Sequence, residues 1–150
     1  MQKEERVVFD AYILKGILGV KPYDEVYSKM KREKNHALVV SEEIMEKYSK
    51  AIAKNNYRPA SALALIQSAF EQLKIMQKLR WADRRIKEMK ENDVKVEIED
   101  KDDIPFVKAA FAMKAKYIVT QDRRHLLSKR EKFRNYQIEV LTPGEYTEIN

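Results

Sequence analysis

Carboxylates concentrate at three places where apolar segments end. Asp10 closes the apolar run VVFD, Asp102 and Asp103 stand together in DKDD, and Asp122 follows the apolar run YIVT by one residue. Asp102 and Asp103 precede the helical pattern IPFVKAAFAM, so two acidic clusters flank one helix–strand unit. Carboxylates drawn into one pocket repel one another, and either take up a proton or bind a cation. An all-oxygen donor set suits Mg²⁺ or Mn²⁺. Such an ion activates water and stabilises a phosphoryl transition state, the chemistry of phosphodiester hydrolysis. Taken singly, each residue has an ordinary reading: Asp after a strand is a turn residue, and Asp before a helix is a cap. The ordered combination carries the expectation.

The elements that must position these groups alternate. Strands are expected at Glu5 to Asp10, Ala37 to Val40, Val94 to Ile98, Tyr117 to Thr120 and Ile138 to Leu141. Helices are expected at Ala11 to Leu18 with Gly19 as its stop, and at Asp24 to Arg32 with Asp24 as its cap. Ser41 caps a third helix, SEEIMEKYSKAIAKN, with Ile44, Tyr48 and Ile52 on one face. Ala60 to Met76 and the stretch on to Met89 read as helical, as one kinked helix or two. Asp102 or Asp103 caps the next helix, with Phe106, Ala109, Ala110 and Met113 facing the core, and Pro143-Gly144 opens a last one. This alternation predicts an α/β fold of three layers. Its central, mainly parallel sheet is flanked by helices, and a helical pair is inserted mid-chain. In such sheets ligands gather at the carboxyl ends of strands.

The 150 residues suit a single domain spanning 1–150. With no Cys, thiol catalysis, cysteine–zinc sites and disulfides are excluded. No apolar run approaches the ~18 residues of a membrane span. The charged start MQKEERVVFD is unlike a signal peptide. A cytoplasmic protein is therefore expected. The net charge of +6 favours an anionic partner such as RNA. Basic residues cluster at Lys74 to Lys90 and again directly after Asp122, where Arg123, Arg124, Lys129 and Arg130 are the candidate RNA-guiding cations. Trp81 and Tyr57 are candidates for base stacking.

VVFDAYILKGIL resembles the opening block of PIN-domain ribonucleases, and ALVVSEEIMEKY resembles their second. DKDDIPFVKAAFAMKAKYIVTQDRRHLL is close to their third block, and IEVLTPGEYTEI resembles their closing one. The resemblance implies a Mg²⁺- or Mn²⁺-dependent endoribonuclease that cleaves single-stranded RNA with a metal-activated water. Asp10, Asp103 and Asp122 fall on the family's metal-binding positions, with Asp102 and Glu46 or Glu43 as second choices. The subgroup includes toxins of toxin–antitoxin pairs, so the resemblance also implies an antitoxin partner and a homodimer. Two positions depart from the pattern. Lys47 stands where the family carries a helical Glu, and Tyr12 where it carries Asn. They motivate an alternative, a PIN fold without catalysis that binds RNA or protein. VVFDAY also resembles the nucleophile strand of haloacid-dehalogenase-type hydrolases, but bulky Ile13-Leu14 replaces the small residue of that tight turn.

Overall fold

The computed structural model describes residues 3–54 and 58–149. Five strands form one parallel sheet: β1 Glu5–Phe9, β2 His36–Val40, β3 Leu79–Trp81, β4 Tyr117–Val119 and β5 Glu139–Leu141. Their order is β3-β2-β1-β4-β5. The chain winds outward from β1 through β2 to β3, then returns to the other side of β1 for β4 and β5. The reversal lies between β1 and β4, where Val7, Val8 and Phe9 pair with Tyr117, Ile118 and Val119. At such a switch point the two flanking connections diverge to opposite sides and leave a crevice beyond the strands' carboxyl ends.

The helices are α1 Tyr23–Arg32, α2 Glu42–Ala53, α3 Pro59–Gln72, α4 Asp83–Glu88, α5 Ile104–Ala112, α6 Arg130–Arg134 and α7 Pro143–Thr147. A 3-10 helix, Ala11–Leu18, leads out of β1. Every residue of β2 is buried, as expected when helices cover both faces of a parallel sheet. Phe9 meets Tyr27 of α1 and Tyr146 of α7 edge-on. Helix α5 packs against β1 and β2. Ile44, Tyr48 and Ile52 are fully buried, so α2 turns its expected face inward. Ser41 caps it, with Oγ accepting from the Ile44 amide at 3.0 Å.

Four local expectations change. Asp24 lies in the first turn of α1, and Pro22 occupies the cap position. The stretch from Leu79 is not continuous helix: Leu79–Trp81 pairs with Leu38–Val40 as the edge strand, so α3 and α4 flank a strand. Its spacing of apolar residues fits either period over three residues, and sheet pairing decides. Val94 to Ile98 forms no strand among the described residues, although only Val96 of the five is buried outright. Alternating burial without a backbone partner makes an extended segment and not a ladder. Finally, of Leu63, Ile66, Phe70 and Leu73, the apolar residues at helical spacing in the Ala60 to Met76 stretch, Ile66 and Phe70 are buried but Leu63 is exposed. Asn55 of the third expected helix, and Tyr57, lie outside the described residues.

Candidate active site

Asp10 begins the site because β1 ends there. Its amide donates to the Val119 carbonyl at 3.1 Å, which extends the β1–β4 register by one residue. Its Oδ1 accepts from the amides of Tyr12 at 3.0 Å and Ile13 at 3.4 Å, capping the 3-10 helix. Its Oδ2 accepts from the Thr120 hydroxyl. Thr120 Oγ1 in turn accepts from the Asp122 amide at 2.9 Å. One buried threonine thus joins the ends of β1 and β4 and sets where Asp122 begins its turn. Asp122 Oδ1 accepts from the amides of Arg124 at 3.1 Å and His125 at 2.9 Å.

Asp103 occupies the cap position of α5 without capping it. Its backbone carbonyl accepts from Phe106 and Val107, but its side chain makes no capping bond. The reason lies upstream. Asp100 Oδ1 takes the Asp102 amide at 2.9 Å and the Asp100 carbonyl takes the Asp103 amide, so a tight turn starts the helix. This frees the Asp103 carboxylate to face Asp122. Oxygens of Asp100, Asp103 and Asp122 all lie within 4.8 Å of one another. Asp103 is 9% exposed, and its Oδ2 is buried with no hydrogen-bond partner among the described residues.

These environments separate the acids electrostatically. Burial pushes the Asp10 carboxyl up to about 6, against the opposing bonds from Thr120, Tyr12 and Ile13. Burial also pushes Asp103 up, reinforced by its hydrogen bond to Asp122 and by the charges of Asp122, Asp100 and Asp10. Asp122 moves the other way. Burial opposes its ionisation, but the hydrogen bond from Asp103, the His125 and Arg124 amides and the His125 charge outweigh it. The two carboxyls are thus driven in opposite directions, Asp103 up and Asp122 down, as like charges at short range are. A divalent cation would relieve their repulsion.

The acids floor a cleft of about 470 Å³ lined also by Tyr12, Lys47, Lys50, Ala51, Lys54 and Gln121. Asp102 borders it, exposed, with Lys47 Nζ 2.9 Å from its Oδ1. Lys47 thus meets Asp102 and not Asp10. Neither Glu46 nor Glu43 lines this cleft. Glu46 pairs with Lys50 at 3.2 Å and borders a separate groove with Met45, Leu63 and Trp81. One residue turns a helix by about 100°, which carries Glu46 away from the face Lys47 occupies.

The basic residues after Asp122 do not line the cleft. Arg123 and Arg124 are exposed beside it, Arg130 forms a bidentate pair with Glu145, and Lys129 donates to the Glu97 carbonyl. In the other basic cluster, Lys78 donates to the Glu33 carbonyl at 2.7 Å and Arg80 pairs with Glu4. Sequence reasoning left out Asp100, Thr120, Lys50 and Lys54. Asp100 was legible as the first acid of the DKDD turn, and Thr120 as the last residue of YIVT. The lysines repeat on one face of α2, but only the fold shows which wall that face makes.

A parallel sheet with acids gathered at its switch point defines the class, an α/β domain with its candidate site at the strands' carboxyl ends. The PIN domain family model matches residues 6–124, and the chain belongs to that family. No curated protein matches it. Among solved structures, a chain of VapBC2 from Rickettsia felis, bound to a DNA fragment from their promoter, is similar at a TM-score of 0.53. The identity is 14%, over 91% of this chain and 98% of that one, a likeness of fold. Among the described residues no helix is long and apolar enough to cross a membrane.

Proposed function

We propose that the protein is a Mg²⁺- or Mn²⁺-dependent endoribonuclease cleaving single-stranded RNA, the toxin of a toxin–antitoxin pair with a protein antitoxin as partner. One observation carries the metal reading: carboxylate oxygens of Asp100, Asp103 and Asp122 gather within 4.8 Å of one another, beside an Asp103 Oδ2 that is buried without a hydrogen-bond partner among the described residues. A buried acceptor without a partner costs about 1–3 kcal/mol, which a ligand to that atom would recover. The donor set is all carboxylate, the chemistry of hard divalent cations. Asp100, Asp103 and Asp122 would hold the ion. Asp10 lies outside that triad with both oxygens hydrogen-bonded, and lining the same cleft it would serve as a further donor. When bound, the ion supplies a Lewis acid that activates water and neutralises phosphoryl charge.

The chain's own residues do the rest. Thr120 orients Asp10 and anchors the Asp122 turn in one hydroxyl. The Asp100 turn presents Asp103. Burial of Asp10 and Asp103 among the strand ends and α5 strengthens the pull of these two carboxylates on cations. The toxin reading is supported by PIN family membership and by the fold likeness to a chain of VapBC2. The test is EDTA-sensitive cleavage of single-stranded RNA, abolished by Asp10→Asn and Asp103→Asn. Unchanged cleavage in Asp10→Asn would overturn the assignment.

A second reading is favoured by Lys47, a cation where the family carries an acid, paired with Asp102 at the cleft. It holds that the fold binds RNA or protein without cleaving. Isothermal titration with Mn²⁺ separates the two. Metal uptake lost in Asp103→Asn supports the enzyme, and RNA binding without metal uptake supports the silent module. A gain of cleavage in Lys47→Glu would show that the native lysine restrains the site.

A further inference from the structure

The cleft has two walls that the acid floor does not explain. Along α2, Lys47, Lys50 and Lys54 all line it. At 100° per residue they fall within about 60° of one another around the helix, and at 1.5 Å per residue they span about 10 Å. Ala51 lies among them, so no bulky side chain fills the space in front of the row. Their ion pairs are weak ones. Lys47 holds Asp102, whose side chain is 80% exposed, and Lys50 holds Glu46, 65% exposed. Exposed pairs contribute about 0–1 kcal/mol and exchange readily for a stronger anion. On the same cleft stands Tyr12, 53% exposed, although four of the seven described tyrosines are buried. Its ring is fixed from two sides, by Lys15 Nζ 4.0 Å from the centroid and by an edge contact with Tyr23 at 6.0 Å. A positioned, half-bare aromatic face is what an unstacked base needs.

We infer that Lys47, Lys50 and Lys54 form the track for the phosphates of single-stranded RNA, and that Tyr12 is the platform on which one of its bases stacks. The assignment rests on the ribonuclease reading and names how that site holds its substrate. It also gives both departures from the family pattern a use. Tyr12 contributes a ring where Asn cannot, and Lys47 contributes an ammonium at the head of the row. The strand lies with its backbone towards α2 and a base turned to the 3-10 helix, so the acids beneath reach the phosphate between. A duplex keeps its bases stacked inside and cannot offer one to Tyr12. The track therefore selects single strands.

The test is binding in EDTA on the Asp10→Asn background, read by anisotropy with fluorescent oligouridylate and with inorganic polyphosphate, which has no bases. Substituting Lys47, Lys50 and Lys54 together with Gln should weaken both ligands and lower the salt-dependence slope for oligouridylate by about 2, at ~0.7 per phosphate contact. Tyr12→Ala should weaken oligouridylate by about tenfold and leave polyphosphate unchanged, with Tyr12→Phe restoring the affinity. An unchanged slope in the triple variant overturns the track, and equal losses on both ligands in Tyr12→Ala overturn the platform. No binding of either ligand to the parent overturns both. Cleavage by the wild type is scored separately. Binding as expected without cleavage removes the nuclease reading and leaves this one, and cleavage with unaltered slopes does the reverse.

Discussion

Asp10 shows how one residue links stability to chemistry. Its carboxyl is buried and its pKa is pushed from 3.8 to about 6. A group raised in the folded state contributes stability that is complete below its unfolded pKa and is lost as pH rises through the folded one. Between pH 4 and 7 the metal-free protein should therefore lose about 3 kcal/mol at this position, from a shift of roughly two pH units at 1.36 kcal/mol each. Asp10→Asn removes the titration while keeping an acceptor for the Tyr12 and Ile13 amides. Urea unfolding in EDTA should show the variant more stable than wild type at pH 7.5 and nearly equal at pH 4. The same difference at both values would mean that the Asp10 carboxyl titrates alike in the folded and unfolded chain, against the raised value. The residue to which the proposed function assigns chemistry is thus one whose charge the fold itself disfavours, a familiar opposition at sites of charge.

At the scale of elements, two contacts hold the site's framework. Tyr48 of α2 donates its hydroxyl to the Phe9 carbonyl at 2.6 Å, deep in the core, where β1 hands over to Asp10. Tyr48→Phe leaves that carbonyl without this donor and should cost about 1–3 kcal/mol in chemical denaturation. Cleavage should fall as well, since the Asp10 backbone loses its tether. No loss of stability would show that water or a neighbour takes the hydroxyl's place. Gly16 marks the other contact. A methyl group there would stand 2.4 Å from the Tyr23 carbonyl oxygen and 2.8 Å from the Tyr27 ring. The obstacle is backbone, so α1 must move, and Gly16→Ala should lower stability by about 1–3 kcal/mol. Because Tyr23 steadies Tyr12, the same substitution should weaken RNA binding more than it alters the acid floor. The glycine that weakens a helix pattern on paper is the one that lets α1 close against the 3-10 helix.

For the whole molecule, the gathered acids are a store of repulsion that the proposed cation would relieve. Mn²⁺ at 100 times its dissociation constant should stabilise the protein by about 2.7 kcal/mol. In a chain of this size that is a rise of roughly 5–10 °C in melting temperature. Asp103→Asn should abolish most of the rise, and Glu46→Gln should leave it intact, because Glu46 faces another groove. A full rise in Asp103→Asn would place the ion elsewhere.

How much of this was legible in the chain follows from range. Apolar runs ending in Asp10 and Thr120, the Ser41 cap and the buried face of α2 are local patterns, and each is where the residues place it. The order Asp10, Asp103, Asp122 also stood in the sequence, because a parallel sheet puts strand ends at one rim. What is not local was not legible. Leu79–Trp81 becomes a strand only because β2 offers it a backbone edge, and Val94 to Ile98 stays unpaired because no edge reaches it. Glu46 and Lys47 differ by one position, and only the packing of α2 shows that the lysine, with Lys50 and Lys54, faces the acids. The sequence by itself determined which residues carry charge and where strands end. The tertiary structure decided which charges meet, since the meeting depends on a β1–β4 pairing between segments more than a hundred residues apart.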